Sequence, residues 1–333
     1  MSAEPLVHTV TGPIGLDALG RTLMHEHVIT ASPGMRENWP SSYRRAEAVK
    51  ACVEGLQQLK AAGIDTLVDH TTYDLGRDAE LLAEVSVASG LQIVAATGVW
   101  VVPQRFWHQR PPVETAQLFV EDIEQGIAGT GIRAGVIKVA VDAAGLAGAG
   151  VERVLRAAAI AHRATGVHIS THTIAKDRNG LDQQRVFAQE GVDLRRVVIG
   201  HCGDSDELDY HRELLRRGSF LGMDRFGVED LLPDERRMDA VAALCAEGYA
   251  DRLLLSQDAS CWNDRTPMDA VRRARPRWHH RHVVEDVVPG LLERGVSAEQ
   301  VETLLVANPR AVFAQRDPYP GEPTAAARSA GWD

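Results

Sequence analysis

Residues 22–28 read Thr22-Leu23-Met24-His25-Glu26-His27-Val28, a short apolar run with two histidines two positions apart. On a β-strand, side chains two residues apart project to the same face, so His25 and His27 face one way and Glu26 the other. Neutral imidazoles are preferred ligands of divalent transition metals. The pair predicts either half of a metal site or two satisfied polar residues, and the rest of the chain decides between them.

Similar apolar runs recur along the chain, eight in all, at 21–27, 64–71, 91–100, 134–140, 167–172, 196–202, 219–224 and 252–258. Segments with helical periodicity separate them, at 46–62, 78–89, 113–128, 151–165, 181–190, 207–217 and 235–247, and a helical pair follows at 282–294 and 298–306. Several runs are nearly continuous in Val, Ile and Leu, which favours parallel strands buried on both faces. Eight strand–helix units predict an α/β fold, a (β/α)8 TIM barrel in a single domain over residues 1–314. Residues 315–333 are predicted to form a flexible C-terminal tail.

The composition is that of a water-soluble globular protein, with 333 residues of which 44% are hydrophobic and 25% charged. A net charge of −10 argues against an extended nucleic-acid interface. No run approaches the roughly 18 apolar residues of a membrane span, and the N-terminus lacks the pattern of a secretory signal. The four cysteines are scattered without a CxxC pair, so we expect reduced thiols in a cytoplasmic protein that binds neither nucleic acid nor membrane.

The active site of such a barrel is built at the carboxyl ends of its strands. The polar residues at these ends include four histidines, one lysine and one aspartate: His25, His27, Lys138, His172, His201 and Asp258. Because all of them are expected on one rim of the barrel, they predict a metal site rather than isolated surface residues.

Lys138 lies within a Val/Ile run, where burial of an ammonium group is costly and lowers its pKa. A neutral amine can form a Schiff base with a carbonyl substrate, or it can add carbon dioxide to give a carbamate. The carbamate fits better beside histidines and an aspartate, because its two oxygens can bridge two metals roughly 3.5–4 Å apart. A Schiff-base lyase or aldolase remains an alternative. A non-catalytic small-molecule binder is another, although the complete ligand set argues against a degenerate site.

The chain resembles the phosphotriesterase family of the amidohydrolase superfamily from about residue 11 to residue 313. The matching stretches are 20–28, 74–78, 95–100, 131–140, 171–173, 200–201 and 308–309. The resemblance implies hydrolysis by two divalent metal ions, with zinc expected and cobalt, manganese or iron as alternatives. In the family the positions of His25, His27 and Asp258 hold the more buried ion, and those of His172 and His201 hold the more exposed one. A carboxylated Lys138 would bridge both together with a hydroxide.

The resemblance also implies catalytic roles and a substrate class. The hydroxide would attack, Asp258 would take the proton, and a relay would lead outward to Asp204. Arg225 is similar to the lactonase branch, where organophosphate specialists carry a histidine, whereas Trp100 is the organophosphate-type residue. We expect opening of acyl-homoserine or γ/δ-lactones with weak phosphotriesterase activity. The alternatives are a phosphotriesterase or a carboxylester or amide hydrolase on the same site.

Five side chains are expected to contact this lactone or ester substrate: Trp100, Arg225, Phe226, Cys261 and Trp262. Homodimers are common in the family, so a homodimer is expected. The histidines at 279, 280 and 282 follow a basic stretch and are expected to be exposed.

Overall fold

The computed structural model describes residues 5–315 and 317–319. A hairpin of β1 (Leu6–Thr9) and β2 (Gly12–Gly15) precedes the barrel. The eight barrel strands are β3 (Thr22–Thr30), β4 (Thr66–Asp69), β5 (Gln92–Gly98), β6 (Val136–Ala140), β7 (Ile169–His172), β8 (Val197–Ile199), β9 (Phe220–Met223) and β10 (Leu253–Leu255). A short strand, β11 (Ser260–Asn263), follows them. The predicted (β/α)8 single-domain fold is confirmed, since these strands are parallel and neighbours in sequence are neighbours in the sheet.

Helices connect the strands and cover the outside of the barrel. They are α1 (Met35–Asn38), α2 (Arg45–Ala61), α3 (Ala79–Ser89), α4 (Arg105–His108), α5 (Pro112–Glu124), α6 (Val151–Thr165), α7 (Gly180–Gln189), α8 (Leu208–Arg216), α9 (Asp234–Ala246), α10 (Met268–Ala274), α11 (Val288–Glu293), α12 (Ala298–Glu302) and α13 (Asn308–Ala314). The predicted final helical pair contains two π-helical stretches, Val283–Val287 before α11 and Thr303–Ala307 between α12 and α13. Within the described part of the chain, no helix is long and apolar enough to cross a membrane.

The barrel closes where β10 and β11 meet β3. The eighth predicted strand, 252–258, is interrupted after Leu255, and the chain resumes as β11 beside the second half of β3. The interruption coincides with Asp258, whose φ of 55° is incompatible with an extended strand. The Ser256 hydroxyl accepts the His25 N–H at 2.8 Å, and the Asp258 N–H donates to the His25 carbonyl at 3.1 Å. These bonds replace a regular strand ladder at the seam.

The core has an outer and an inner part. Most buried apolar side chains lie between the strands and the helices. A smaller cluster fills the amino-terminal end of the barrel and includes Val7 from the hairpin, Met24 from β3 and Phe313 from α13. The hairpin and the last helix therefore close the end of the barrel opposite the strand carboxyl ends.

Most of the predicted tail, 315–333, lies outside the described residues. Among those described, Tyr319 is held against the barrel: its N–H donates to the Arg163 carbonyl at 2.9 Å, and its hydroxyl contacts His162. The expectation that the histidines near 280 are exposed was wrong for His280 and His282, which are 7% and 1% exposed.

The strand that carries Lys138 approaches its neighbour unusually closely at Gly98. Gly98 has a φ of +117°, and a Cβ atom there would lie 1.9 Å from the Lys138 carbonyl oxygen. We predict that Gly98→Ala lowers the free energy of unfolding by about 3 kcal/mol or more, because backbone strain and overlap act together. Gly63→Ala is the matched control. It has a φ of +94° with no atom within 4 Å, so it should cost only about 1 kcal/mol. Urea unfolding measures both, and equal losses would contradict the prediction.

His282 lies between two carboxylates, 2.7 Å from both Asp234 and Asp286. Burial opposes protonation of His282, but these two hydrogen bonds outweigh it and raise its pKa. The stabilisation is therefore fully present below the ordinary histidine pKa of about 6.5 and is lost as the pH rises through the raised value. We predict that the free energy of unfolding of the wild type falls relative to that of His282→Asn as the pH rises through the raised pKa. Urea midpoints between pH 6 and 9 test this, and parallel pH profiles would refute it.

Candidate metal centre

Two histidines and an aspartate form the first half of the site. His25 and His27 project from the same face of β3, and both are buried. The Nε2 atoms of His25 and His27 lie 3.5 and 3.2 Å from Oδ1 of Asp258. The three donor atoms all lie within 4.8 Å of one another, which is close enough for one cation to contact all three.

His172 and His201 form the second half at the ends of β7 and β8. Their ring centroids are 4.5 Å apart, and Nε2 of His201 lies 3.8 Å from Oδ2 of Asp258. Burial lowers the pKa of both imidazoles, so they are neutral at neutral pH. The structure thus brings all four predicted histidines and Asp258 to one rim of the barrel.

Lys138 lies between the two halves and is 1% exposed. Its Nζ is 3.0 Å from Nε2 of His25 and donates to the Thr171 carbonyl at 3.3 Å. Burial lowers the Lys138 pKa to about 7, against the opposing charges of Asp258 and Asp224. A substantial fraction of the amine is therefore neutral near neutral pH, which both a carbamate and a Schiff base require.

Asp224 is a site residue that the sequence did not reveal. Its side chain is fully buried, and its two oxygens lie 2.9 Å from Nδ1 of His25 and 2.8 Å from Nδ1 of His201. Each imidazole therefore turns its Nε2 atom toward Asp258. The available signal was the position of Asp224 as the last residue of the seventh apolar run, 219–224, which is the position of the other strand-end residues.

Backbone strain is concentrated at this rim. Among the described residues, five other than glycine have positive φ, and three of them are His201 at 57°, Arg225 at 63° and Asp258 at 55°. Such conformations persist where the surroundings hold them, and they cluster at functional sites. Glu26 holds Asp258, because its carboxylate accepts the N–H groups of Gln257 at 2.7 Å and Ala259 at 2.9 Å.

The predicted relay from Asp258 to Asp204 requires a correction. Arg225 lies between the two carboxylates, with Nε donating to Asp258 at 3.0 Å and Nη1 donating to Asp204 at 2.8 Å. A guanidinium remains protonated in proteins, so it cannot pass a proton from one carboxylate to the other. The arrangement instead fixes the position of Asp258, while the buried Arg237 fixes Asp204 at 2.8 Å.

A cavity of about 250 Å³ opens over these residues and is lined by Trp100, Arg225 and Trp278 among others. A second cavity of about 450 Å³ adjoins it across Thr30, Ser260, Arg265, Arg275 and Trp278, which line both. Trp100 and Arg225 are thus located as predicted for substrate contacts.

Three other side chains predicted to contact substrate do not line either cavity in the described structure. Phe226 is fully buried in the core, since it follows the irregular backbone of Arg225. Cys261 alternates with Ser260 on β11 and faces α2, where a Cβ atom at Gly55 would lie 3.3 Å from its sulfur. Trp262 packs edge-on against Tyr43 with ring centroids 5.3 Å apart.

The donor set fits divalent cations. Four imidazoles and a carboxylate are nitrogen and oxygen ligands of the kind that zinc, cobalt, manganese and iron accept. Nδ1 of His172 is buried and has no hydrogen-bond partner among the described residues. A buried ring nitrogen without a partner is costly, and a cation would satisfy it. His25, His27 and Asp258 would hold one ion, and His172 with His201 would hold a second.

A parallel (β/α)8 barrel that gathers these groups at its strand ends is the architecture of a barrel hydrolase. The model of the phosphotriesterase family matches residues 5–313. The chain belongs to this family and is a hydrolase.

Two relatives and one solved structure are similar along almost their whole lengths. The phosphotriesterase homology protein of Mycobacterium tuberculosis is 48% identical over 325 residues, covering 95% of this chain and 99% of the relative. The aryldialkylphosphatase of Saccharolobus solfataricus is 38% identical over 301 residues, covering 89% and 95%. The solved structure of the phosphotriesterase from Mycobacterium tuberculosis superposes with a TM-score of 0.91 at 47% identity, covering 95% of this chain and all of that one.

We predict that Asp224→Asn weakens metal binding by about 10- to 100-fold, the usual effect of losing a hydrogen-bond partner of ligating histidines. An amide group can accept from only one of the two imidazole N–H groups. Chelator competition measures the affinity, and circular dichroism checks the fold. Asp251→Asn is the control, since Asp251 is exposed and lies ahead of β10. Wild-type affinity in Asp224→Asn would contradict the assigned role.

Proposed function

We propose that the protein is a binuclear metal-dependent hydrolase that opens lactones, with a carboxylated Lys138 joining the two halves of its site. The observation that carries the proposal is the position of Lys138, a buried amine with Nζ 3.0 Å from Nε2 of His25 and 3.3 Å from the carbonyl of Thr171, the residue before His172. In a dry site an unpaired ammonium group would be unfavourable. A carbamate on Lys138 would replace the ammonium group with two oxygen atoms that can bind metal ions.

Two divalent ions, when bound, lower the pKa of a shared water and polarise the oxygen of the substrate carbonyl. The protein supplies the remaining functions. Asp258 is the proposed acceptor of the proton of the attacking water. Neighbouring His25 and His201 outweigh its burial and hold its pKa well below the usual range, so the carboxylate is ionised and has no proton of its own. Arg225 and Glu26 hold that carboxylate in place, and the cavity walls exclude bulk water.

Two features support a lactone as the substrate. Arg225 occupies the position that resembles the lactonase branch, and it bonds directly to Asp258. The cavity over the site is small, about 250 Å³, while the adjoining 450 Å³ cavity has a mixed lining that includes the apolar side chains of Met268, Val271 and Trp278. A lactone ring fits the first cavity, and an acyl substituent fits the second.

Phosphotriester hydrolysis is the second candidate. Trp100 lines the cavity and is the residue type of organophosphate hydrolases at this position. The similarity to an aryldialkylphosphatase points the same way. The same attacking water serves both reactions, so we propose phosphotriesterase activity as a weak side reaction.

We further propose a cytoplasmic homodimer. Trp39 is 59% exposed and Phe106 is 48% exposed, and both lie on connections that follow barrel strands. These two exposed side chains are candidates for the surface that a second copy of the chain would cover. Sedimentation analysis of the full chain tests the dimer.

We predict that Lys138→Ala removes metal and lowers lactone turnover by at least about 100-fold, because the bridging ligand is lost. Metal analysis by mass spectrometry should give about two ions per wild-type chain. Turnover is measured on acyl-homoserine lactones, γ- and δ-lactones and paraoxon. Lys50→Ala, on the exposed surface of α2, is the control.

Either of two results would overturn the proposal: a wild-type protein without metal, or full activity in Lys138→Ala. Two ions with paraoxon preferred over every lactone would instead select the second candidate. Trapping of a carbonyl substrate on Lys138 by borohydride would select the Schiff-base alternative.

A further inference from the structure

Arg265 lies where the two cavities meet. It contributes to the lining of both, and it belongs to the connection between β11 and α10. Its guanidinium carbon is 5.8 Å from the ring centroid of Trp100, which lines the cavity over the metal ligands. A substrate that reacts at the ligands and extends into the larger cavity must therefore pass this guanidinium.

The other two arginines of the lining are already neutralised. Arg225 donates to Asp258 and Asp204, and Arg275 donates to both oxygens of Asp230 at 2.8 and 2.6 Å. The positive charges of Arg225 and Arg275 are therefore balanced by carboxylates of the protein.

Arg265 differs from them, because its guanidinium forms no ion pair with any carboxylate in the described part of the chain. The adjacent Asp264 is committed elsewhere, since it accepts the N–H of Ser32 at 2.6 Å. The cation at the rim is thus available to a ligand.

The chain as a whole is acidic, with a net charge of −10. A guanidinium presents a planar fork of N–H donors that matches the two oxygens of a carboxylate. We infer that the natural substrate is an anionic acyl compound, whose acyl chain ends in a carboxylate that Arg265 binds. The inference rests on the proposed hydrolytic function and narrows its substrate class.

Two lactones with equal chain length separate this inference from the general function. N-pentanoyl- and N-glutaryl-homoserine lactone carry five-carbon acyl chains, which end in a methyl and a carboxylate group respectively. We expect the metal-loaded wild-type enzyme to favour the glutaryl compound about fivefold in kcat/KM, through KM, as one solvent-accessible ion pair allows. Arg265→Gln should abolish this preference and Arg265→Lys should keep part of it. The preference should shrink in 0.5 M salt, since exposed charges are screened.

Arg273→Gln is the matched control, because Arg273 is an exposed arginine on α10 outside both cavity linings. It should leave the glutaryl preference intact. A wild-type enzyme that favours the pentanoyl compound, or an Arg265→Gln variant that retains the full glutaryl preference, would overturn the inference.

Calorimetric measurement of binding of the intact glutaryl lactone distinguishes failure of the proposed lactone hydrolysis from failure of the proposed anion site. Binding that depends on Arg265 without turnover would refute lactone hydrolysis and support the anion site. Binding of equal strength in wild type and Arg265→Gln would refute the anion site, whether or not turnover occurs.

Discussion

The carboxylate of Glu26 holds the site together at the point where the barrel closes. It projects from β3 away from His25 and His27, and it accepts the backbone N–H groups on either side of Asp258. Asp258 is thereby kept in a strained conformation in which its side chain reaches the two histidines. On one face, β3 carries His25 and His27 of the candidate metal site. On the other face it carries Glu26, which holds the third residue, Asp258. Pairing β3 one residue out of register would exchange these faces and separate all three ligands.

This anchor places several ionisable groups in a dry interior, where burial opposes charge. Burial lowers the pKa of His25 to about 4 and that of Lys138 to about 7, so at neutral pH His25 is neutral and a substantial fraction of the Lys138 amine is uncharged. Two aspartates remain ionised. Burial opposes their charge, but His201 and His25 lower the pKa of Asp224, and those two histidines also lower that of Asp258. The protein thus presents neutral nitrogen donors beside fixed negative charges, the electrostatic setting that favours cation binding.

The repeated pattern of apolar runs and amphipathic helices was sufficient to predict the barrel, and its topology then placed the strand-end histidines on one rim. His172 and His201 lie on that rim because each is at or next to the end of a buried strand, whereas His25 lies inside the long strand β3, which extends past the other strands. The prediction missed Asp224 because a carboxylate before an arginine resembles the start of an ordinary loop. One of its imidazole partners, His201, follows the neighbouring strand β8, but the other, His25, belongs to β3, so only the three-dimensional arrangement identifies its role.

Side-chain direction was the least predictable feature. Alternation along a strand fails where φ becomes positive, and this happens at Arg225 and Asp258. Phe226 follows the first of these residues and turns into the core, and Cys261 follows the second by three positions and faces α2. Both residues are near the site in sequence, as expected. Because of the local backbone conformation, however, their side chains point away from the cavity.

The apolar cluster that fills the amino-terminal end of the barrel also has a kinetic consequence. Val7 and Phe313 are fully buried there, so no route leads through the barrel axis. Any molecule that reaches the metal-site residues must therefore enter and leave at the carboxyl ends of the strands. A substrate and its product would therefore use the same cavity, which is lined by Trp100, Arg265 and Trp278 among others. Product must then leave before the next substrate can bind, so slow product release would limit the turnover rate.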